Sequence, residues 1–330
     1  YTTLSKHPGA RPLPLAADSA TAVALSPQGD RLAYTRKIVN SNIWALEASG
    51  APLWAAQRNA SKPWVTSSFE ETTPAFSPDG RRIAVQSGRS GWSEIWIHDR
   101  DGSHARQLTD LRGGIAGYPH WSPDGKKIAI HWRPQGDPGD AALYMVEVAT
   151  GRSRRVTTGP IKEETTPSWS HDGKWIYFSW KQSGAYEVWK VPAEVGSARQ
   201  KTRNGGWVTS ESPDGKNLFY AKKRANGSSL WRIPLDGGAE RQEISDVASG
   251  GSAYAVGKSG IYYVREATAG ASRQIVFYNF ESEKMKVLAD IAGPVQERLD
   301  VSPDEHLLLY PQIDHLASNL MLVENFRLRP

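Results

Sequence analysis

Between residues 73 and 110 the hydrophobic and polar positions alternate in four short runs. Thr73-Pro74-Ala75-Phe76-Ser77 reads as a first strand. Pro78-Asp79-Gly80 follows as a turn: proline presets φ, aspartate bonds its own backbone and glycine accepts a positive φ. Arg82-Ile83-Ala84-Val85-Gln86 alternates as a second strand, residues 88–91 loop, and Glu94-Ile95-Trp96-Ile97-His98 is a third. Asp101-Gly102 makes a hairpin turn before an outer strand, Ala105-Arg106-Gln107-Leu108-Thr109. The order recurs, with third strands at Asn42-Ile43-Trp44-Ala45, Leu143-Tyr144-Met145-Val146, Val188-Trp189-Lys190-Val191 and Leu230-Trp231-Arg232-Ile233. A tryptophan repeated at that position points to packing between units.

The turn after the first strand is the clearest repeat. It stands intact at Ser77-Pro78-Asp79-Gly80, Ser122-Pro123-Asp124-Gly125 and Ser212-Pro213-Asp214-Gly215, and nearly so at Ser170-His171-Asp172-Gly173. Degraded copies are Ser26-Pro27-Gln28-Gly29, Gly257-Lys258-Ser259-Gly260 and Ser302-Pro303-Asp304-Glu305. The seven anchors are spaced 51, 45, 48, 42, 45 and 45 residues apart. Several strands per unit at that period predict an all-β propeller of seven four-stranded antiparallel blades. Blades would start near residues 21, 72, 117, 165, 207, 252 and 297 of one domain covering 1–330. Ala10-Arg11-Pro12-Leu13-Pro14-Leu15, within residues 1–18, would close the last blade as its outer strand, since prolines are tolerated at an edge.

Composition narrows the chemistry. With no cysteine among 330 residues, disulfides, thiolate metal sites and a cysteine nucleophile are excluded. The net charge of +5 comes from 40 basic and 35 acidic residues on a mixed surface, and no basic run or nucleic-acid motif appears. No stretch approaches the roughly 20 apolar residues of a membrane span. The chain begins at Tyr1, which reads as a processed protein or an excised domain.

Propeller geometry puts the approaches to the first strands and the exits of the second strands on one face, opposite the anchor turns. Nearest the axis this face would carry Glu70, Glu71, Tyr118, Glu163, Glu164, Trp207, Glu297 and Arg298. Around them would run a basic and aromatic ring: Arg36, Lys37, Arg89, Trp132, Arg133, Trp180, Lys181, Lys222, Lys223, Arg224 and Arg265. The candidate binding residues are Glu71, Tyr118, Trp132, Glu164, Trp180, Trp207 and Arg298, around a funnel for a small polar ligand or a protein partner. The same residues also suit solvated loops and tryptophans covering blade edges. Glu71 and Glu164 could hold a cation, whereas the anchor aspartates read as turn formers, because one per turn does not supply a calcium site. No Gly-x-Ser-x-Gly elbow, phosphate loop or His-Glu-x-x-His helix occurs, so no catalytic residue, metal or cofactor is assigned.

The Ser-Pro-Asp-Gly phrase with Ile-Trp downstream resembles TolB-like propeller repeats. Ser41-Asn42-Ile43-Trp44, Trp175-Ile176-Tyr177-Phe178-Ser179, Val188-Trp189-Lys190-Val191-Pro192-Ala193, Thr202-Arg203-Asn204-Gly205-Gly206 and Asn319-Leu320-Met321-Leu322-Val323-Glu324-Asn325-Phe326 resemble the C-terminal propeller of bacterial winged-helix transcriptional regulators. That resemblance implies a non-enzymatic sensor or interaction domain, monomeric in isolation, touching neither nucleic acid nor membrane. It would be periplasmic in a membrane-spanning regulator and cytoplasmic otherwise. The alternatives are a carbohydrate-active lyase or hydrolase using the funnel, and a protein-assembly scaffold like TolB. TolB-like repeats also form the propeller of prolyl-oligopeptidase-type proteases, whose hydrolase domain has no room in these residues.

Overall fold

A computed structural model describes residues 20–56, 60–135, 141–157, 164–181, 184–194, 196–224, 227–265 and 272–324. The described residues fall into two compact units, one within 41–312 and the other within 1–40 and 313–330. Strands dominate both, as the β-branched and aromatic composition requires.

In the larger unit, five antiparallel four-stranded sheets follow one another along the chain, between Glu71 and Ile291. A sixth draws on both ends of the unit. Asp300–Val301 pairs with the strand Leu307–Val323, which pairs with Leu32–Glu47, which pairs with Lys62–Val65. The innermost strands are Glu71–Phe76, Gly114–Trp121, Glu164–Trp169, Trp207–Glu211, Tyr254–Val256 and Asp300–Val301, and each touches the next, with the last touching the first. Six sheets meeting cyclically are consistent with a propeller. The apolar cores lie between consecutive sheets: Ala84, Ile95 and Ile97 of one sheet pack with Ile128, Ile130 and Val146 of the next. The recurrent tryptophans do belong to that packing, Trp44, Trp189 and Trp231 each lying against a core cluster.

The count of seven blades is corrected to six sheets among the described residues, and the anchor turns explain why. Gly80 faces Pro303, Gly125 faces Pro78, Gly173 faces Pro123, Gly215 faces His171 and Gly257 faces Glu305. The anchors at 302 and 77 are therefore neighbours, while Gly29 of the first anchor has nothing near it. That anchor joins Ala20–Leu25 to the following strand in the smaller unit. There Leu32 and Tyr34 pack with Met321 and Val323. Closure also differs from expectation. The last sheet is completed by strands at 41–47 and 62–65, and the proposed closing segment 10–15 lies outside the described residues.

Each anchor is a self-contained turn. The Ser77 hydroxyl donates to Asp79 (2.5 Å), Arg81 N–H donates to the same carboxylate (3.1 Å), and Arg82 N–H donates to Ser77 Oγ (2.9 Å). The pattern repeats at Ser122, Ser170, Ser212 and Ser302. The serine hydroxyls beside Asp79, Asp124 and Asp214 hold these carboxyls below the usual range. One anchor departs from the pattern: Glu305 occupies the glycine position with φ 56°. Its carboxylate accepts Ser259 N–H (3.2 Å) and the Ser259 hydroxyl (2.8 Å), so it caps the degraded turn at 257–260.

Candidate functional site

The inner strands end, opposite the anchors, in a depression of about 430 Å³. Glu70, Thr72, Gln86, Tyr118, Trp207, Ser252, Val295, Gln296 and Glu297 line it. The backbone that builds it is strained. Thr73, Tyr118, Thr166, Val208 and Glu297 have φ between 46° and 53°, a region that costs a residue with a side chain on the order of 1 kcal/mol or more. In four inner strands the pairing register slips at or beside these residues, as a β-bulge does when it re-aims side chains. Two of the strained residues, Tyr118 and Glu297, are themselves part of the lining.

The Tyr118 hydroxyl faces the Glu297 carboxylate, which it favours in its charged form. Burial pushes the Glu297 carboxyl up, and the neighbouring charge of Glu70 pushes it further. The two carboxylates therefore sense one another across the funnel. Burial, with Glu297 next in importance, raises the Tyr118 hydroxyl well above its ordinary range. Trp207 forms the opposite wall, stacked at 6.4 Å on Tyr186, with the Lys223 ammonium 5.5 Å from its ring centre.

Arg298 is buried near the axis. Its guanidinium donates to Thr209 O (3.0 Å) and Pro167 O (3.4 Å), carbonyls of two other inner strands. The nearby Asp300 carboxylate is already occupied, accepting the N–H groups of Phe76 (2.6 Å) and Val301 (3.0 Å). Arg298 thus ties inner strands together and does not line the depression. Burial, with the Arg298 charge second, holds the His120 ring down at about 3, and its Nδ1 accepts the N–H of Trp169 (3.2 Å).

Of the seven candidate residues, the structure brings Tyr118 and Trp207 together at the cavity. Glu71 is fully buried: its Oε1 accepts the hydroxyls of Ser67 (2.7 Å) and Ser87 (2.9 Å) and pairs with Arg89 (2.7 Å). Oε1 is thus committed to the Arg89 cation and the two serines, while Oε2 is buried without a hydrogen-bond partner. Trp132 stands edge-on to Tyr144 at 5.6 Å, and Trp180 lies 4.7 Å from Trp189, both against the cores between sheets. Glu164 begins an inner strand opposite Trp180, and Glu163 lies outside the described residues. Sequence reading missed Thr72, Gln86 and Gln296 as lining residues. Gln86 stands near the end of a second strand, a position the strand pattern marked but its neutral side chain did not.

Among the described residues a serine, histidine and aspartate stand together, at the anchor end of the strands. Ser103, His104 and Asp99 cluster on an exposed hairpin, but Ser103 Oγ (2.9 Å) and Asp99 (2.8 Å) both meet the same ring nitrogen, Nδ1. A relay needs the two nitrogens to face different partners. Among the described residues no group of three or more histidines and carboxylates is placed to hold a metal ion, and no helix is long and apolar enough to cross a membrane. A larger depression of about 520 Å³ lies at the periphery. Its buried carboxylate, Glu94, is taken up by Thr109 Oγ1 (2.5 Å), Leu111 N–H (2.8 Å) and Arg112 N–H (3.1 Å).

Residues 59–242 match the family model described as PD40, the TolB beta propeller domain. An uncharacterized peptidase, YuxL, of Bacillus subtilis is 35% identical over 130 residues, covering 35% of this chain and 18% of that protein. Dipeptidyl-peptidase 5 of Porphyromonas gingivalis is 28% identical over 152 residues, covering 43% of this chain and 22% of that protein. The chain thus matches only a minor part of either relative's length. Among solved structures, the putative TolB of Agrobacterium tumefaciens superposes with a TM-score of 0.68 at 18% identity, over 84% of this chain and 99% of that one. The expectation of a non-enzymatic sensor of a winged-helix regulator is corrected by the first two relatives, both named peptidases. The exclusion of enzymatic function falls with it.

Proposed function

We propose, from the premise that the chain belongs to the TolB β-propeller family, that it is the substrate-selecting propeller of a peptidase-type hydrolase. The observation that carries this is a funnel fit for peptide in a chain that shares 130- and 152-residue stretches with named peptidases. An extended peptide presents N–H and C=O groups in alternation. Gln86 and Gln296 offer both a donor and an acceptor, and Thr72 a hydroxyl. Tyr118 and Trp207 supply flat apolar faces that cost little conformational entropy on binding. The propeller's part in peptide-bond cleavage is selection and orientation, since holding a scissile bond in a reactive pose is itself a large share of catalysis.

Two measurements test the reading. Calorimetric titration of the chain with unblocked pentapeptides is expected to show saturable binding, with Kd on the order of micromolar to millimolar. The product of the complete natural gene is expected to hydrolyse peptide amides. Absence of both activities would end the proposal.

A further inference from the structure

We infer that residues 313–323 form an edge at which a second copy of this chain adds, antiparallel and across a two-fold axis. These residues belong to the smaller unit and to the strand Leu307–Val323, which pairs with Leu32–Glu47 on one side. Beyond Gln312, among the described residues, no strand pairs with its other edge. A free edge presents a row of N–H and C=O groups for another chain to pair with, and proteins guard such edges with basic residues, prolines or bulges. The other edges are guarded in this way. The outer strand of each of the six sheets carries a basic residue: Lys62, Arg106, Arg154, Arg199, Arg241 and Lys286. The strand Ala20–Leu25, at the far side of the smaller unit, is bent by a register slip at Ala22, where φ is 50°. Residues 313–323 contain no lysine, arginine or proline and run as one unbroken strand.

The side chains of this edge suit a copy of themselves. Leu316, Leu320 and Leu322 alternate onto one face and are 58%, 78% and 59% exposed. Met321 and Val323, on the other face, pack with Leu32 and Tyr34. Leucines exposed together mark an interaction surface. With Ser318 on the two-fold axis, antiparallel pairing sets Leu316 opposite Leu320 of the partner subunit, and Leu320 opposite Leu316 of the partner subunit. Leu322 then faces the partner's Asp314, and His315 the partner's Met321. No charge meets a like charge, which would be destabilising directly across a pair of strands. A parallel pair in register would set Asp314 against itself. The charges therefore favour the two-fold arrangement, whose closed symmetry stops at a dimer. Such a dimer departs from the monomer expected by resemblance.

The absence of cysteine from the chain allows a clean cross-linking test. Ser318→Cys would place two thiols directly opposite one another, about 4.5–5.5 Å apart between Cα atoms as in any antiparallel pair, which is within disulfide reach. Oxidised glutathione takes up the two electrons and two protons of the coupling as reduced glutathione. With it, Ser318→Cys is expected to give a covalent dimer, and His315→Cys, far along the strand from its own mate, almost none. In analytical ultracentrifugation the unmodified chain is expected to double its mass as its concentration rises. Leu320→Lys is expected to weaken that association at least about a hundredfold, because a two-fold interface loses the leucine twice, and to leave the melting temperature of the dilute chain unchanged. Four results would each overturn the proposal: a chain that stays monomeric at every concentration, a dimer that Leu320→Lys leaves intact, equal cross-linking of the two cysteine variants, or growth into polymers, which a closed two-fold excludes.

Discussion

The two ends of the inner strands are made from the same repeat and come to opposite uses. At the anchor end, five turns carry one hydrogen-bond pattern, with a serine hydroxyl bridging an aspartate and the backbone, and the turns touch one another in sequence. At the funnel end the strained backbone recurs at five inner strands, while the side chains diverge apart from Glu70-Glu71-Thr72-Thr73-Pro74 and its copy at 163–167. Residues in the left-handed region there include Thr73 and Val208, β-branched side chains for which such φ values are true outliers. Local rules hold at the anchors, Glu305 excepted, and are broken at the funnel, which is the pattern expected where function is kept. Regularity at the anchors stabilises the ring; irregularity at the funnel sets what it can hold.

The comparison can be sharpened by variants, and the largest effect should come from a funnel-side residue that has become structural. Glu71→Ala strands the Arg89 cation and should cost about 3–5 kcal/mol, the usual penalty for breaking a buried ion pair. Denaturant unfolding would measure it. If Glu71→Ala changed peptide binding and left stability alone, the boundary drawn here between rim and funnel would be wrong.

Acid should weaken the fold next. Burial holds His120 at about 3 and His131 at about 4, against an ordinary value of 6.5. Both must be neutral in the native state. Their contribution is therefore complete above about pH 6.5 and is lost as pH falls through those depressed values. Asp300, which burial raises to about 6, works in the opposite sense: its contribution is present below its ordinary value of 3.8 and is lost as pH rises through 6. With two histidines against one aspartate, net stability should decline between pH 6 and pH 4. His120→Gln should flatten that decline, and Asp300→Asn should steepen it.

Smaller effects belong to the anchors. Glu305→Gly relieves a positive φ but removes both hydrogen bonds to Ser259, for a net loss of about 1 kcal/mol. Ser77→Ala should also cost about 1 kcal/mol by removing the bridge between Asp79 and Arg82 N–H. A gain in stability from Glu305→Gly would mean that the strain outweighs the cap. The smallest stability effect is expected in the funnel itself, where Glu297→Gln removes a carboxylate that the fold keeps at a disadvantage.

Much of this architecture was legible in the residues. The anchor phrase located the turns, and the alternation of Arg82-Ile83-Ala84-Val85-Gln86 located a second strand that the structure places at Arg82–Ser87. The miscount of blades has a local cause. The hairpin around Ser26-Pro27-Gln28-Gly29 carries every short-range mark of a blade, down to a positive φ at Ala22. Turn chemistry reports a hairpin but not whether that hairpin joins a ring. The site was legible only in part. Tyr118 and Trp207 line the cavity from the funnel-side parts of two inner strands. Glu71 lies away from the cavity lining, and strand position does not reveal that Arg89, Ser67 and Ser87 will take up its Oε1. The bulges were invisible, since no glycine marks the left-handed positions at 73, 118, 166, 208 and 297.

The central claim is that the funnel recognises and the anchors hold. It is tested most directly by titrating pentaalanine amide into the unmodified chain, Glu297→Gln and Ser77→Ala, and melting each protein. The account predicts that Glu297→Gln loses about tenfold in affinity at an unchanged melting temperature, and that Ser77→Ala melts about 1–2 degrees lower with its affinity intact. Equal losses of affinity in both variants, or full binding by Glu297→Gln, would contradict it.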